Sequence, residues 1–179
     1  HNPFSIQISN RKLVCLLGPR GSGKTQYLRC LSAITRPQSG NLSLIGLETS
    51  KLNRSQWQTL RMRAAYLSHT TTLLSAVDLA TNIMLPAFYH YKNPVSVIEK
   101  KARDACQFTG CEPCLGLFPT ELNELQTHQA LLARCLIVDP YMIFIDDALS
   151  LADKASRREL SLLYCQLRDQ LNLTLILSI

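Results

Sequence analysis

Long apolar runs are missing from this chain. The longest, such as Leu13 to Leu17, fall far short of the ~18 residues that a membrane-spanning helix needs. Nothing at the start of the given sequence reads as a basic, apolar signal peptide. The first residues are His1-Asn2-Pro3-Phe4 with no methionine, so the native start is expected upstream. Internal repeats and low-complexity segments are absent. Charge is sparse, at 18% of residues against 46% apolar ones. So apolar a chain can form a core, which excludes disorder. A length of 179 residues fits one domain, able to bury roughly 70% of its unfolded surface.

Acidic residues are the scarcer sign, 13 against 19 basic ones, for a net charge of +6 and a pI near 9.1. That balance suits an acidic partner: a nucleotide, an anionic membrane surface or nucleic acid. The basic residues read as scattered, with no denser cluster than Lys100-Lys101 or Arg157-Arg158, so a dedicated nucleic-acid face is not expected. Metal-ligand spacing is lacking too. Cys111-Glu112-Pro113-Cys114 has no second such pair, and His1, His69, His90 and His128 stand at no ligand-like offset, so neither zinc nor redox chemistry is expected. The seven cysteines, Cys15, Cys30, Cys106, Cys111, Cys114, Cys135 and Cys165, are odd in number and mostly sit in apolar segments. They read as small buried hydrophobes in a reduced, cytosolic setting. Trp57 and Tyr66 read as packing residues rather than a base-stacking pair.

What is present is an alternation of short β-like runs with helical stretches. Strands are expected at Ser5–Ile8, Leu13–Leu17, Leu42–Ile45, Ala64–Leu67, Met142–Ile145 and Thr174–Ser178. Helices are expected at Lys24–Ala33, Ser55–Arg63, Pro94–Phe108, Glu124–Val138 and Ser156–Leu171, with Val95, Ile98, Ala102 and Ala105 marking the apolar face of the third. The pattern predicts an α/β fold, a mostly parallel sheet flanked by helices, interrupted by a helical insertion over 72–126.

Gly18-Pro19-Arg20-Gly21-Ser22-Gly23-Lys24-Thr25 satisfies G-x-x-x-x-G-K-[ST] between a strand and a helix, which makes the chain a P-loop NTPase by pattern. Its glycines let successive N–H groups turn inward toward a phosphate, and the helix that follows adds the positive end of its dipole. Lys24 would reach the β- and γ-phosphates, and the Thr25 hydroxyl would coordinate Mg²⁺. The apolar run Tyr141–Ile145 ends on Asp146 and Asp147, where ligands sit in open α/β sheets. Asp146 suits a Mg²⁺ partner, and Asp147 is placed to polarise an attacking water.

These motifs resemble the ATP-binding subunit of ABC transporters along nearly the whole chain. Pro37-Gln38-Ser39-Gly40 is similar to that family's turn before a strand, Asp139-Pro140 to its dipeptide ahead of the acidic strand, and Ser150–Asp153 to its D-loop, with Asp153 at the acidic position. Arg61-Met62-Arg63, Leu73-Leu74 and Asn82–Pro86 resemble the subgroup serving lipoprotein release and phospholipid trafficking. The resemblance implies ATP and Mg²⁺ as ligands, a second ATP-binding subunit, a membrane permease subunit, and a peripheral place on the cytoplasmic face of the inner membrane. It implies a single nucleotide-binding domain over 1–179 trimmed at both ends, since the family's adenine-stacking aromatic and switch histidine are not evident. The apolar stretch Thr70–Tyr91 reads equally as a permease contact or as a buried loop.

Three positions depart from the family's pattern. His69 stands where a glutamine senses the γ-phosphate, and in Leu122–Gln126, aligned with the signature that caps the opposite subunit's nucleotide, Asn123, Glu124 and Leu125 replace the serine and two glycines while Gln126 keeps the glutamine. Glu124 would bring negative charge toward a phosphate, and Leu125 would crowd the backbone approach. Asp147 replaces a catalytic glutamate and is one methylene shorter; drawing a base back by about 1 Å costs on the order of 10²-fold. Two readings follow: a transport ATPase, or a catalytically weakened nucleotide-binding module with a regulatory or structural role. A P-loop kinase is a distant third, because no acceptor site or lid is evident.

Overall fold

The computed structural model describes residues 5–68, 70–151 and 153–179. Four strands, β1 (Leu13–Leu16), β4 (Ala64–Leu67), β5 (Met142–Ile145) and β6 (Thr174–Ser178), form one parallel sheet in the order β1-β6-β5-β4. A hairpin of β2 (Ser43–Leu44) and β3 (Leu47–Glu48) stands apart. Its two-residue turn puts Ile45 and Gly46 at φ of 53° and 74°, the backbone that a tight hairpin twist requires. The described residues form six α-helices: α1 (Lys24–Leu31), α2 (Arg54–Arg63), α3 (Leu79–His90), α4 (Val95–Thr109), α5 (Glu124–Leu136) and α6 (Lys154–Gln170).

Alternation along the strands splits the core into two layers. Ile143, Ile145, Leu175 and Leu177 face α5 and α6 with Leu132, Leu160, Tyr164 and Leu167. Met142, Phe144 and Ile176 face the other way, onto Leu28 of α1 and Leu60 of α2. Register aligns the strands at one edge: Leu16 pairs with Ser178, Ile145 with Leu177 and Leu67 with Ile145. All four strands therefore deliver their following residues to the same side of the sheet.

A third cluster lies between α3, α4 and α5, built on Ile83, Ile98, Ala102, Cys106 and Ala130. The segment read as either a contact or a buried loop holds α3, capped by the Asp78 carboxylate, which accepts from the Thr81 N–H at 2.8 Å. Asn82, fully buried, fastens the preceding loop by accepting from the Leu74 N–H and donating to the carbonyls of Leu74, Val77 and Asp78.

The expected strand Ser5–Ile8 does not form. Residues 5–7 are exposed, and only Ile8 packs on the core; among the described residues no strand pairs with that segment. The basic residues are also less scattered than the sequence suggested. Residues 1–77 hold ten Lys and Arg against the single acid Glu48, whereas residues 78–179 hold nine against twelve. Glu48 is itself paired with Lys51 at 2.5 Å. All seven cysteines are free thiols, with Cys106, Cys111 and Cys114 buried.

Candidate functional site

The glycine loop leaves the end of β1 and turns directly into α1. Gly21 and Gly23 hold φ of 79° and 92°, and a side chain at either would meet only open space. Their need for glycine is therefore conformational rather than steric. Gly18 is different: a Cβ there would stand 2.8 Å from the Ser22 Oγ. No side chain caps α1, whose N-cap is Gly23, so the first-turn N–H groups lack the acceptor that a capping residue supplies. Lys24 Nζ donates to the carbonyls of Gly18 and Pro19 at 2.5 and 3.1 Å, which holds its ammonium against the loop. Arg20 and Thr25 are exposed. An uncapped helix start, open glycines and a tethered ammonium form a donor set with the chemistry of a phosphate cradle.

Asp146 follows β5, two strands over from the loop. It is 2% exposed, so its carboxylate needs partners. The Ser178 hydroxyl donates to Oδ1 at 2.5 Å, and the Tyr66 hydroxyl donates to Oδ2 at 3.3 Å. Burial and then the Asp146 charge push the Tyr66 phenol up to about 12, so it stays a donor across the physiological range. A buried carboxylate held by two hydroxyls has the oxygen donor chemistry that suits a hard cation.

Asp147 takes φ of 53°, a left-handed conformation that Asp tolerates better than most residues. The turn is fastened from both sides. On one, the Asp147 N–H donates to Ser178 Oγ at 2.8 Å, and the Ala148 N–H donates to the Ser178 carbonyl at 3.0 Å. On the other, the Tyr164 hydroxyl donates to the Ala148 carbonyl at 2.9 Å and lies 2.9 Å from His128 Nε2. With its one proton given to Ala148, Tyr164 must accept from His128, which fixes the Nε2–H tautomer. Burial holds His128 down at about 4, so it is neutral near pH 7.

The segment Asn123–Gln126 starts α5 as a capping box. Asn123 Oδ1 accepts from the Gln126 N–H at 2.8 Å, and Gln126 Oε1 accepts from the Asn123 N–H at 3.0 Å. Glu124 sits in the first turn, where the helix dipole favours an anion. Leu125 is half-buried against the sheet layer of α5 and α6. Asp153 caps α6 by accepting from the Ser156 N–H at 2.8 Å, and hydrogen bonding from the Ser156 side chain and then from that N–H lowers its carboxyl below the ordinary range. Glu124, His128, Asp146 and Asp147 line one cleft of roughly 310 Å³ together with Ser68 and Thr71, and none of Gly18–Thr25 lines it. His69 lies outside the described residues. Sequence reading missed Ser178, Tyr66, His128 and Tyr164, whose roles arise only from pairings 16 to 80 residues apart.

A parallel sheet that carries a glycine loop after one strand and a buried aspartate after another defines a P-loop α/β cassette. The model of the ABC transporter family matches residues 1–150, and the chain belongs to that family. It is 28% identical over 178 residues to the methionine import ATP-binding protein MetN of Chlamydia felis, covering 97% of this chain and 52% of that one. It is 25% identical to the intermembrane phospholipid transport system ATP-binding protein MlaF of Haemophilus influenzae, covering 98% and 67%. The chain thus spans about half the length of the methionine-import relatives it matches. Among solved structures, its fold is similar to a bacterial ABC transporter cassette in dimeric form, at a TM-score of 0.85, 20% identity, and 97% and 76% coverage. A second likeness, CbiO1 from Clostridium perfringens, has a TM-score of 0.88 at 20% identity, with 97% and 68% coverage. Among the described residues no helix is long and apolar enough to cross a membrane.

Proposed function

We propose that this chain is the nucleotide-binding core of an ABC transporter's ATP-binding subunit, and that it binds ATP with Mg²⁺ at Gly18–Thr25. The observation that carries the reading is the uncapped start of α1 behind an open glycine loop, with Lys24 tethered to it. The backbone N–H groups of Gly21 to Lys24 would hold phosphate, and Lys24 would neutralise the outer phosphates. Thr25 and Asp146 would hold Mg²⁺, which supplies charge neutralisation at the phosphate oxygens. Asp147 would orient or deprotonate the attacking water, and His69 would sense the γ-phosphate.

The names of two relatives support the setting: one is a methionine import ATP-binding protein and the other an intermembrane phospholipid transport system ATP-binding protein. A membrane permease subunit and a second ATP-binding subunit are proposed as partners here, with the chain peripheral to the membrane. Residues 1–179 read as one nucleotide-binding domain, and 72–126 as its helical subdomain. Lipid or lipoprotein cargo is the narrower form of the proposal. Phosphate release from Mg-ATP, compared between the parent and Lys24→Ala, tests it. Release above background that Lys24→Ala abolishes supports an ATPase, and equal background rates reject the enzymatic claim.

A second reading, a module that binds nucleotide but hydrolyses weakly, is favoured by the capping box. Asn123 Oδ1 and Gln126 Oε1 are both committed to the start of α5, and Glu124 places a carboxylate beside them. Restoring Ser-Gly-Gly at 123–125 raises turnover if these residues limit it.

A further inference from the structure

Away from the phosphate loop, Arg36, Arg54, Trp57, Gln58 and Arg61 line a second cleft of roughly 440 Å³. Arg54, Trp57, Gln58 and Arg61 follow the i, i+3, i+4, i+7 spacing of one helix face, and all lie on α2. Arg36 is brought over from beyond α1, where the Ile34 and Thr35 N–H groups close onto the Arg29 carbonyl at 2.9 and 3.1 Å. Eight residues of α1, about 12 Å of helix, thus separate this cleft from the phosphate loop.

Three guanidinium groups in one cleft repel each other, and none forms an ion pair among the described residues. Arg54 adds to the cost, because it opens α2 at the positive end of the helix dipole with no acid in the first turn. The adjoining sequence does not relieve it: residues 49–77 contain no Asp or Glu. Arg36 stacks over the half-buried Trp57 ring at 5.5 Å, which orders one fork and leaves the others open.

We infer that this cleft binds a ligand bearing at least two phosphoryl groups. Guanidinium forks match phosphate oxygens bidentately. Arg54 and Arg61, seven positions apart, are anchored about 10 Å from each other along the helix, a span that suits two phosphoryl groups better than one. Trp57 offers an indole face to the carbon part of the ligand, and Gln58 a neutral donor and acceptor. The same chemistry is available from a soluble oligophosphate or from phospholipid headgroups at a membrane surface. The inference stands apart from nucleotide binding at the phosphate loop.

Trp57 is the only tryptophan in the chain, so its emission reports on this cleft alone. The probes are tripolyphosphate, and phosphatidylcholine vesicles with and without phosphatidylglycerol, each titrated by Trp57 emission and by calorimetry. The proteins are the parent, Lys24→Ala, and the exposed double variant Arg54→Gln/Arg61→Gln. A saturable response with tripolyphosphate or with phosphatidylglycerol vesicles is expected, and the arm that responds identifies the source. It should persist in Lys24→Ala and weaken at least about tenfold in the double variant, the loss that one charge-assisted contact supplies. No response in either arm overturns the inference. So does a response that the double variant keeps unchanged, or one that Lys24→Ala alone removes. The last outcome would place the ligand on the phosphate loop and leave the nucleotide reading intact.

Discussion

The Ser178 hydroxyl stands between Asp146 and Asp147, donating to the buried carboxylate of the first at 2.5 Å and accepting from the backbone N–H of the second at 2.8 Å. One side chain at the end of β6 thereby sets both the orientation of the proposed cation ligand and the left-handed turn that presents the proposed base. Ser178→Ala leaves a buried carboxylate oxygen and an N–H short of a partner, at about 1–3 kcal/mol. For a chain of this size, thermal unfolding should begin roughly 3–10 °C lower. A melting temperature unchanged within 1 °C or so would show that the hydroxyl carries no such load.

Asp147→Glu tests whether the short acid limits hydrolysis. The longer carboxylate recovers reach, and turnover of Mg-ATP should rise, by up to about 10²-fold where base position is limiting. Stability should fall by less than about 1 kcal/mol, because Glu suits the φ of 53° less well than Asp. Single-turnover phosphate release combined with a melting curve separates the two effects. A rate at or below the parent's argues that another step limits.

His128 predicts an acid-sensitive core. Its ring sits near 4 in the folded chain and at 6.5 when free. The unfolded state therefore binds the extra proton, and folding is weakened as pH falls through 6.5 toward 4. The loss is about 2 kcal/mol by pH 5 and vanishes above pH 7. His128→Gln keeps a donor for Tyr164 and does not titrate. Urea unfolding at pH 7.5 and pH 5 should show a smaller drop for this variant than for the parent; equal drops would assign the pH dependence elsewhere.

At the start of α5, Asn123→Ala removes the cap and costs about 1 kcal/mol, whereas Asn123→Ser retains most of it. Denaturant midpoints for the two variants distinguish a structural cap from a residue held only for nucleotide contact.

Legibility followed the range of the interactions. Ala64–Leu67, Met142–Ile145 and Thr174–Ser178 form as read, because a short apolar run bounded by turn or helix signals has little choice but a buried strand. The glycine loop was equally plain, since its backbone demands are local. The helical insertion over 72–126 is legible, but the bounds of α3 within it are not, because Pro86 lies inside it and proline ordinarily ends a helical pattern; packing against α4 and α5 outweighs that cost. The strand Ser5–Ile8 was over-read, because alternation alone does not supply a partner to pair with. The capping box could have been found from Asn123 and Gln126 at N-cap and third position. The fastening of the acidic turn could not, since Ser178 and Tyr164 come from distant elements with no local signal. Neither did a tally of adjacent basic pairs expose the charge imbalance between the two halves, which only a running count along the chain reveals.

The central claim is that Gly18–Thr25 holds the phosphates of a nucleotide. Equilibrium titration of Mg-ATP into the parent and Lys24→Ala, read by calorimetry, tests it most directly. Saturable binding that weakens by at least about tenfold in Lys24→Ala is the predicted result. Identical isotherms for the two proteins, whether both bind or neither does, would contradict it.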